Sequence, residues 1–326
     1  MKHILYRDAL SHGFHFAWKH KSLWLFGLFA AFLGQIGLMP LLSAIGLTGS
    51  GYGGTTTVSY LGMFLGSIPF SDFTTLSSSI VAGTLWIGIM FFVVVLVFLA
   101  LAVVSQGALI HAASKSLKLV RTQPQATKSW HVGATHFWKL FGLQLLKKGV
   151  LLLCGAAVYF TTMYAVGTNS ASWTLTSSVV FVLASIIGFI LSFLLTYAAC
   201  YVVVEEMSIG EAVEHAWQMV STHWLVSIEV GVLLLASNFL LGLFAVFSFL
   251  VFFTPAFILL LISLIIGTKV LATLAAIVSL ALFILFIVWI GSVFTVFSTT
   301  TWTYLFMKMH AHGVHSKILY WAGHRE

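Results

Sequence analysis

Glu229 stands inside an apolar run, "LVSIEVGVLLLASNFLLGLFAVFSFLVF" at 225–252. A carboxylate at bilayer depth is costly unless paired or hydrated, so such a residue marks a candidate functional position. Lys147 and Lys148 hold a comparable place ahead of "VLLLCGAAVYFTTMYAV". Glu229 follows Trp217 by twelve residues and Lys148 follows Trp138 by ten. At a helical rise of 1.5 Å per residue the two charges fall within about 3 Å of one depth, if the two stretches are equivalent. We therefore expect Glu229 to pair with Lys147 or Lys148 on a facing helix and to fix helix packing. A substrate or proton site is the second reading, and snorkelling of the lysines to headgroups the third. Gln35 and Asn238 are amides within apolar runs, expected to bond across helices.

All thirteen histidines fall on the side expected to be cytoplasmic. In "HAHGVH", His310, His312 and His315 lie close together, and on a helix His312 and His315 would share a face, as would His12 and His15. Transition-metal binding is the sharper reading. No cysteine or carboxylate joins either cluster locally, so interfacial, pH-responsive imidazoles are the preferred one. There is no P-loop, His-Glu-x-x-His, Gly-x-Ser-x-Gly or dinucleotide fingerprint, and "GEAVEH" lacks the first histidine of a metalloprotease motif. No cofactor is implied. Cys154 and Cys200 both lie in apolar runs and read as small packing residues.

The elements that position these groups are set by composition. The chain is 60% hydrophobic and 7% charged, against about 25% charged in a soluble domain. An all-α integral membrane protein follows. Six spans of about 20 or more apolar residues are expected, near 22–46, 80–110, 146–167, 178–204, 225–252 and 271–306. Fourteen of the fifteen Lys and Arg residues then lie on one side, with Lys269 alone opposite. The positive-inside rule makes that side cytoplasmic, giving an N-in, C-in topology. The net charge of +7 sits beside apolar runs rather than in a polar domain, so anionic lipid is the expected partner and nucleic acid is excluded. "PAFILLLISLIIG" at 255–267 is about 20 Å long as a helix, too short to span, and is expected to be re-entrant or interfacial. The N-terminus does not read as a cleaved signal peptide.

A short pattern recurs ahead of the odd-numbered spans: "FHFAWK" at 14–19, "THFWK" at 135–139 and "EHAWQ" at 214–218. Around the last copy, Ala212, Val213, Ala216, Val220 and Trp224 recur at helical spacing opposite Glu211, Glu214, His215, Gln218 and Thr222, and Ser208 with Glu211 fits a capping box. Three cytoplasmic amphipathic lead-in helices are expected, with Trp18, Trp138, Trp217 and Trp224 as headgroup-level anchors. The 326 residues then form one membrane domain of three helical hairpins, 1–110, 122–206 and 207–310, with a cytoplasmic tail at 311–326. Convergent interfacial chemistry is the alternative to true repetition.

Residues 201–235, "YVVVEEMSIGEAVEHAWQMVSTHWLVSIEVGVLLL", carry a resemblance. A span ends in Val202–Val204 with Glu205 and Glu206. A helix with Ala212, Ala216 and Trp217 follows, and then the next span. This resembles several bacterial polytopic membrane families, among them the membrane domain of glycerophosphoryl diester phosphodiesterase-type proteins and related uncharacterised families. The resemblance implies a helical fold in a bacterial inner membrane. It implies no activity, because those enzymes owe their chemistry to a separate soluble domain. The function expected is non-enzymatic: engagement of lipid headgroups or a membrane partner, including a second copy. The alternative is a small transporter or lipid-moving protein with a polar site around Glu229.

Overall fold

The computed structural model describes residues 5–35, 78–118, 125–168, 170–266 and 269–312. Among them all regular structure is helical: α1 (Leu5–Lys19), a 3-10 turn (Lys21–Leu23), α2 (Trp24–Gln35), α3 (Ser78–Lys118), α4 (Ala126–Thr135), α5 (Phe137–Thr168), α6 (Ala171–Val204), α7 (Ile209–Thr222), α8 (Trp224–Ile266) and α9 (Lys269–His312). Five helices are long and apolar enough to cross a bilayer: α3, α5, α6, α8 and α9. Only 6–17% of their most apolar windows is buried, so these helices turn their greasy flanks outward. Such a surface is compatible with lipid and not with water, and the chain is a multi-pass membrane protein by this measure. The first expected span, 22–46, is described only as far as Gln35, and its remainder lies outside the described residues.

The expectation for 255–267 is corrected. The chain does not break at Pro255 but runs through it, and α8 is one helix of 43 residues. At that point Pro255 forfeits a single backbone bond. Leaving the helix in apolar surroundings would expose many more unsatisfied groups. The turn ahead of Pro255 is also held to α9, through Phe249 and Phe253 against Phe283, and Phe252 against Phe286.

The core lies at one end of the bundle. Most residues buried on α3 run from Ala102 to Ser114, on α6 from Phe193 to Val203, and on α9 from Ser292 to Met309, each the C-terminal half of its helix; Ala184 and Ser279 lie outside these stretches. These three stretches touch: Phe193 and Tyr197 stack edge-on against Trp302, and Tyr201 against Phe306. The short helices pack around them. α4 lies on α3, α7 on α6, and α1 on α9, so the first described helix packs on the last and the three short helices form a ring around this end.

Small residues make each of these contacts. α1 buries Ala9, Gly13 and Ala17, α4 buries Ser129 and Gly133, and α7 buries Ala212 and Ala216. All are four apart, the spacing that lets one helix backbone approach another closely. Gly133 is the tightest case. A Cβ there would lie 2.9 Å from the Ala108 amide nitrogen and 3.2 Å from the Val104 carbonyl carbon, so the two backbones meet where a side chain cannot fit.

Candidate functional site

The joints between short and long helices share one construction, and a histidine stands at each. His20, His136 and His223 donate their backbone N–H to Phe16, Val132 and Met219, at 3.1, 3.3 and 2.9 Å. Their carbonyls accept from Leu23, Leu140 and Ser227, at 3.0, 3.0 and 3.1 Å. His136 and His223 thus each close a short helix and open a long one, while His20 closes α1 and opens the 3-10 turn ahead of α2, with non-helical dihedrals at all three. These histidines are the structurally equivalent set. The recurring Trp pattern is not: "EHAWQ" lies within α7, "THFWK" straddles a joint, and "FHFAWK" ends α1. For the second and third joints the signal is "THFW" beside "THWL", a histidine directly before an aromatic residue; His20 precedes Lys21 and carries no such mark.

α7 shows how the sequence sets its local structure. The Ser208 side chain accepts from the Glu211 backbone N–H, and the Glu211 carboxylate accepts from the Ser208 N–H, which is the reciprocal cap the sequence predicts. Those bonds, the backbone one foremost, hold the Glu211 carboxyl below its ordinary range. Upstream, Glu206 adopts a left-handed φ of 56° at the end of α6. The Lys139 ammonium donates to the Glu206 and Met207 carbonyls, at 3.0 and 3.1 Å, and ties the start of α5 to this turn. Tyr197 and Ser227 share a buried hydrogen bond of 2.9 Å. Ser227 also donates to the His223 carbonyl at 3.2 Å, so α6 is bonded to the third joint.

The candidate anchors are all exposed: Trp18 at 50%, Trp138 at 76%, Trp217 at 54% and Trp224 at 55%. They surround the same end of the bundle. Around α1, burial foremost and then His15 hold the His12 imidazole below its usual value; burial, Lys19 and His15 do the same for His20. The His12 ring lies 5.2 Å from that of Tyr304, and its Nε2 is buried with no hydrogen-bond partner among the described residues.

The polar residues of the spans separate. Lys147 lines a cavity of about 20 Å³ with Gln106, Gln144 and Thr196, walled by Leu140, Leu143, Leu195 and Ala199. Gln144 donates to Gln106 at 2.7 Å across α5 and α3. That volume and that lining suit a single water. Glu229 is half-buried on α8, with Oε2 out of solvent, and Lys148 is half-buried on α5. Asn238 is exposed on α8 rather than buried against a neighbouring helix among the described residues. Gln35 ends α2, with its side chain outside the described set. His310 stacks on Phe306 and meets the edge of Tyr201; the side chain of His312 and all of His315 lie outside the described residues. Among the described residues no group of three or more His, Cys, Asp or Glu is placed to hold a metal.

No protein-family model, curated protein or solved structure matches this chain.

Proposed function

We propose that this is a non-enzymatic protein of a bacterial-type inner membrane whose ring of short helices engages anionic lipid headgroups at the cytoplasmic surface. The single observation that carries the proposal is the ring: α1, α4 and α7 dock by small residues on one end of the bundle and leave Trp18, Trp138, Trp217 and Trp224 exposed around it. Indoles buried in a headgroup layer can still hydrate their N–H, and lysines at that level attract anionic lipid. The expected topology is six spans, N-in and C-in, with the first span completed beyond Gln35. The charge distribution and the resemblance of residues 201–235 favour it.

A transporter would need a polar cavity reaching Glu229, Asn238 or Gln35. The water-sized cavity beside Lys147 is lined by none of them, and Asn238 is exposed. We therefore prefer headgroup engagement. An ion pair of Glu229 with Lys147 or Lys148 stays part of the proposal as a packing device.

The test is tryptophan quenching in reconstituted protein. Brominated phosphatidylglycerol should quench at a lower mole fraction than brominated phosphatidylcholine. Equal quenching by the two lipids would refute the proposal.

A further inference from the structure

Between the C-terminal end of α3 and the first turns of α4 lies an open cavity of about 370 Å³, lined by His111, Lys115, Thr127, Lys128, His131 and Val132. Its polar groups are two ammonium groups, two imidazoles and one hydroxyl, and no carboxylate is among them. α3 supplies His111 and Lys115 and α4 the rest, so the cavity exists only because Gly107 and Gly133 hold the two helices in backbone contact. The half-buried His111 ring is set by Ser129 Oγ, 3.4 Å from Nδ1. α4 also begins here. Its N-cap, Gln125, makes no side-chain cap bond. The amides of its first turn, which carry Thr127 and Lys128, therefore add the partial positive charge of a helix start.

Like charges gathered around a cavity repel one another unless an anion lies between them. Imidazole and ammonium donors with first-turn amides are the chemistry that recognises a phosphate. We propose that the α3–α4 cavity binds a phosphate-bearing anion, either the phosphodiester of a lipid headgroup or a free phosphate. The inference deepens the headgroup proposal and rests on it for placing this end of the bundle at a membrane surface. Val132 lines the cavity beside these donors, and the cavity is larger than one phosphate requires, leaving room for the glycerol end of a lipid.

Native mass spectrometry of the full-length protein, titrated separately with phosphatidylglycerol and with inorganic phosphate, tests this. Each lysine at such a surface contributes enough that Lys115→Gln with Lys128→Gln should weaken binding about thirty-fold. Lys308→Gln, on α9 above the Tyr304 ring, should leave it unchanged. The Lys115→Arg, Lys128→Arg pair keeps the charge and should keep the binding, which separates loss of the site from loss of the fold. A loss confined to the lipid titration identifies a headgroup, and one confined to the phosphate titration a soluble phosphate; either supports the site. Wild-type binding of both ligands by the glutamine pair, or equal loss in the arginine pair, overturns it. If the glutamine pair keeps wild-type binding in both titrations together with the anionic preference seen by tryptophan quenching, the site falls and the headgroup proposal stands. If the wild type shows no such preference yet binds phosphate through these lysines, the reverse holds.

Discussion

Substituting Gly133 tests the construction of the ring most directly. A methyl group at this position would meet the Ala108 nitrogen at 2.9 Å, where ordinary contact begins near 3.4 Å, and would press harder still on the Val104 carbonyl oxygen. The obstacles are backbone atoms of α3, which cannot rotate away as a side chain would. α4 must therefore move off α3 by at least 0.5 Å, opening the packing of Gly107 against Gly133 and Leu140. Overpacking of this kind costs about 1–3 kcal/mol. Alanine returns about 0.5–1 kcal/mol by stiffening the helix. The Gly133→Ala loss should thus be modest, near 1 kcal/mol. Gly133→Val, which adds two more carbons and no such gain, should approach the upper end, about 3 kcal/mol.

The assay is apparent Tm in a mild detergent, read by fluorescence-detected size exclusion. For a chain of this size each kcal/mol corresponds to roughly 2–4 °C. Gly155→Ala is the control, since a Cβ there meets nothing within 4 Å. The order expected is Gly155→Ala equal to or above wild type, then Gly133→Ala, then Gly133→Val lowest. A Gly133→Val protein as stable as the control would refute the close approach of α3 and α4, and with it the shape of the cavity at their ends.

Two further outcomes follow from single groups. Tyr197→Phe removes a buried hydroxyl from Ser227, which keeps its own bond to the His223 carbonyl, so a loss of about 1 kcal/mol is expected; Tyr159→Phe, on an exposed side chain, should change stability by less than about 0.5 kcal/mol in the same thermal assay. His12 is held below its unfolded value by burial and by His15, so the unfolded chain binds the extra proton first and stability falls with pH. The stability is fully present above about pH 6.5 and is lost as pH drops through the lower folded value. The groups around His12 are Asp8 and His15 on its own helix and Tyr304 and Lys308 on α9. His12→Phe should flatten the fall in apparent Tm between pH 7 and 5, and an unchanged slope would assign the acid sensitivity elsewhere.

The apolar helices were legible because their pattern is local. A span needs only a run of about 20 residues without charge, and the windows found on α3, α5, α6, α8 and α9 are such runs. The Ser208–Glu211 cap was legible for the same reason, since both partners lie within one turn. The ring was half legible. Ala9, Gly13 and Ala17, Ser129 and Gly133, and Ala212 and Ala216 stand four apart in plain view, but the more conspicuous aromatic residues recur out of register with the joints. At Pro255 the surroundings decide rather than the local residue: in an apolar medium the helix is retained because every alternative leaves more groups unsatisfied. The α3–α4 cavity was not legible. Lys115 and Lys128 are thirteen residues apart in sequence, and only the packing of Gly107 on Gly133 makes them neighbours.

The position of the core follows from which solvent each part of the chain meets. Side chains along the middle of a span gain nothing by leaving lipid for one another, since the tails are as apolar as they are. Leu85 to Phe98 on α3 and Val232 to Leu250 on α8 are accordingly mostly exposed. Where water replaces lipid, burying a Leu or Phe is worth about 1.5–3 kcal/mol. Phe16, Leu23, Leu109, Leu140, Leu305 and Phe306 are all buried within the ring. Among the described residues the packed core thus sits at one end of the bundle, as expected if the proposed topology places that end in water. The three short helices then have a task that the spans lack. They cover the C-terminal ends of α3, α6 and α9, and glycine and alanine serve them better than leucine because a cover fits tightly only where the backbones can approach.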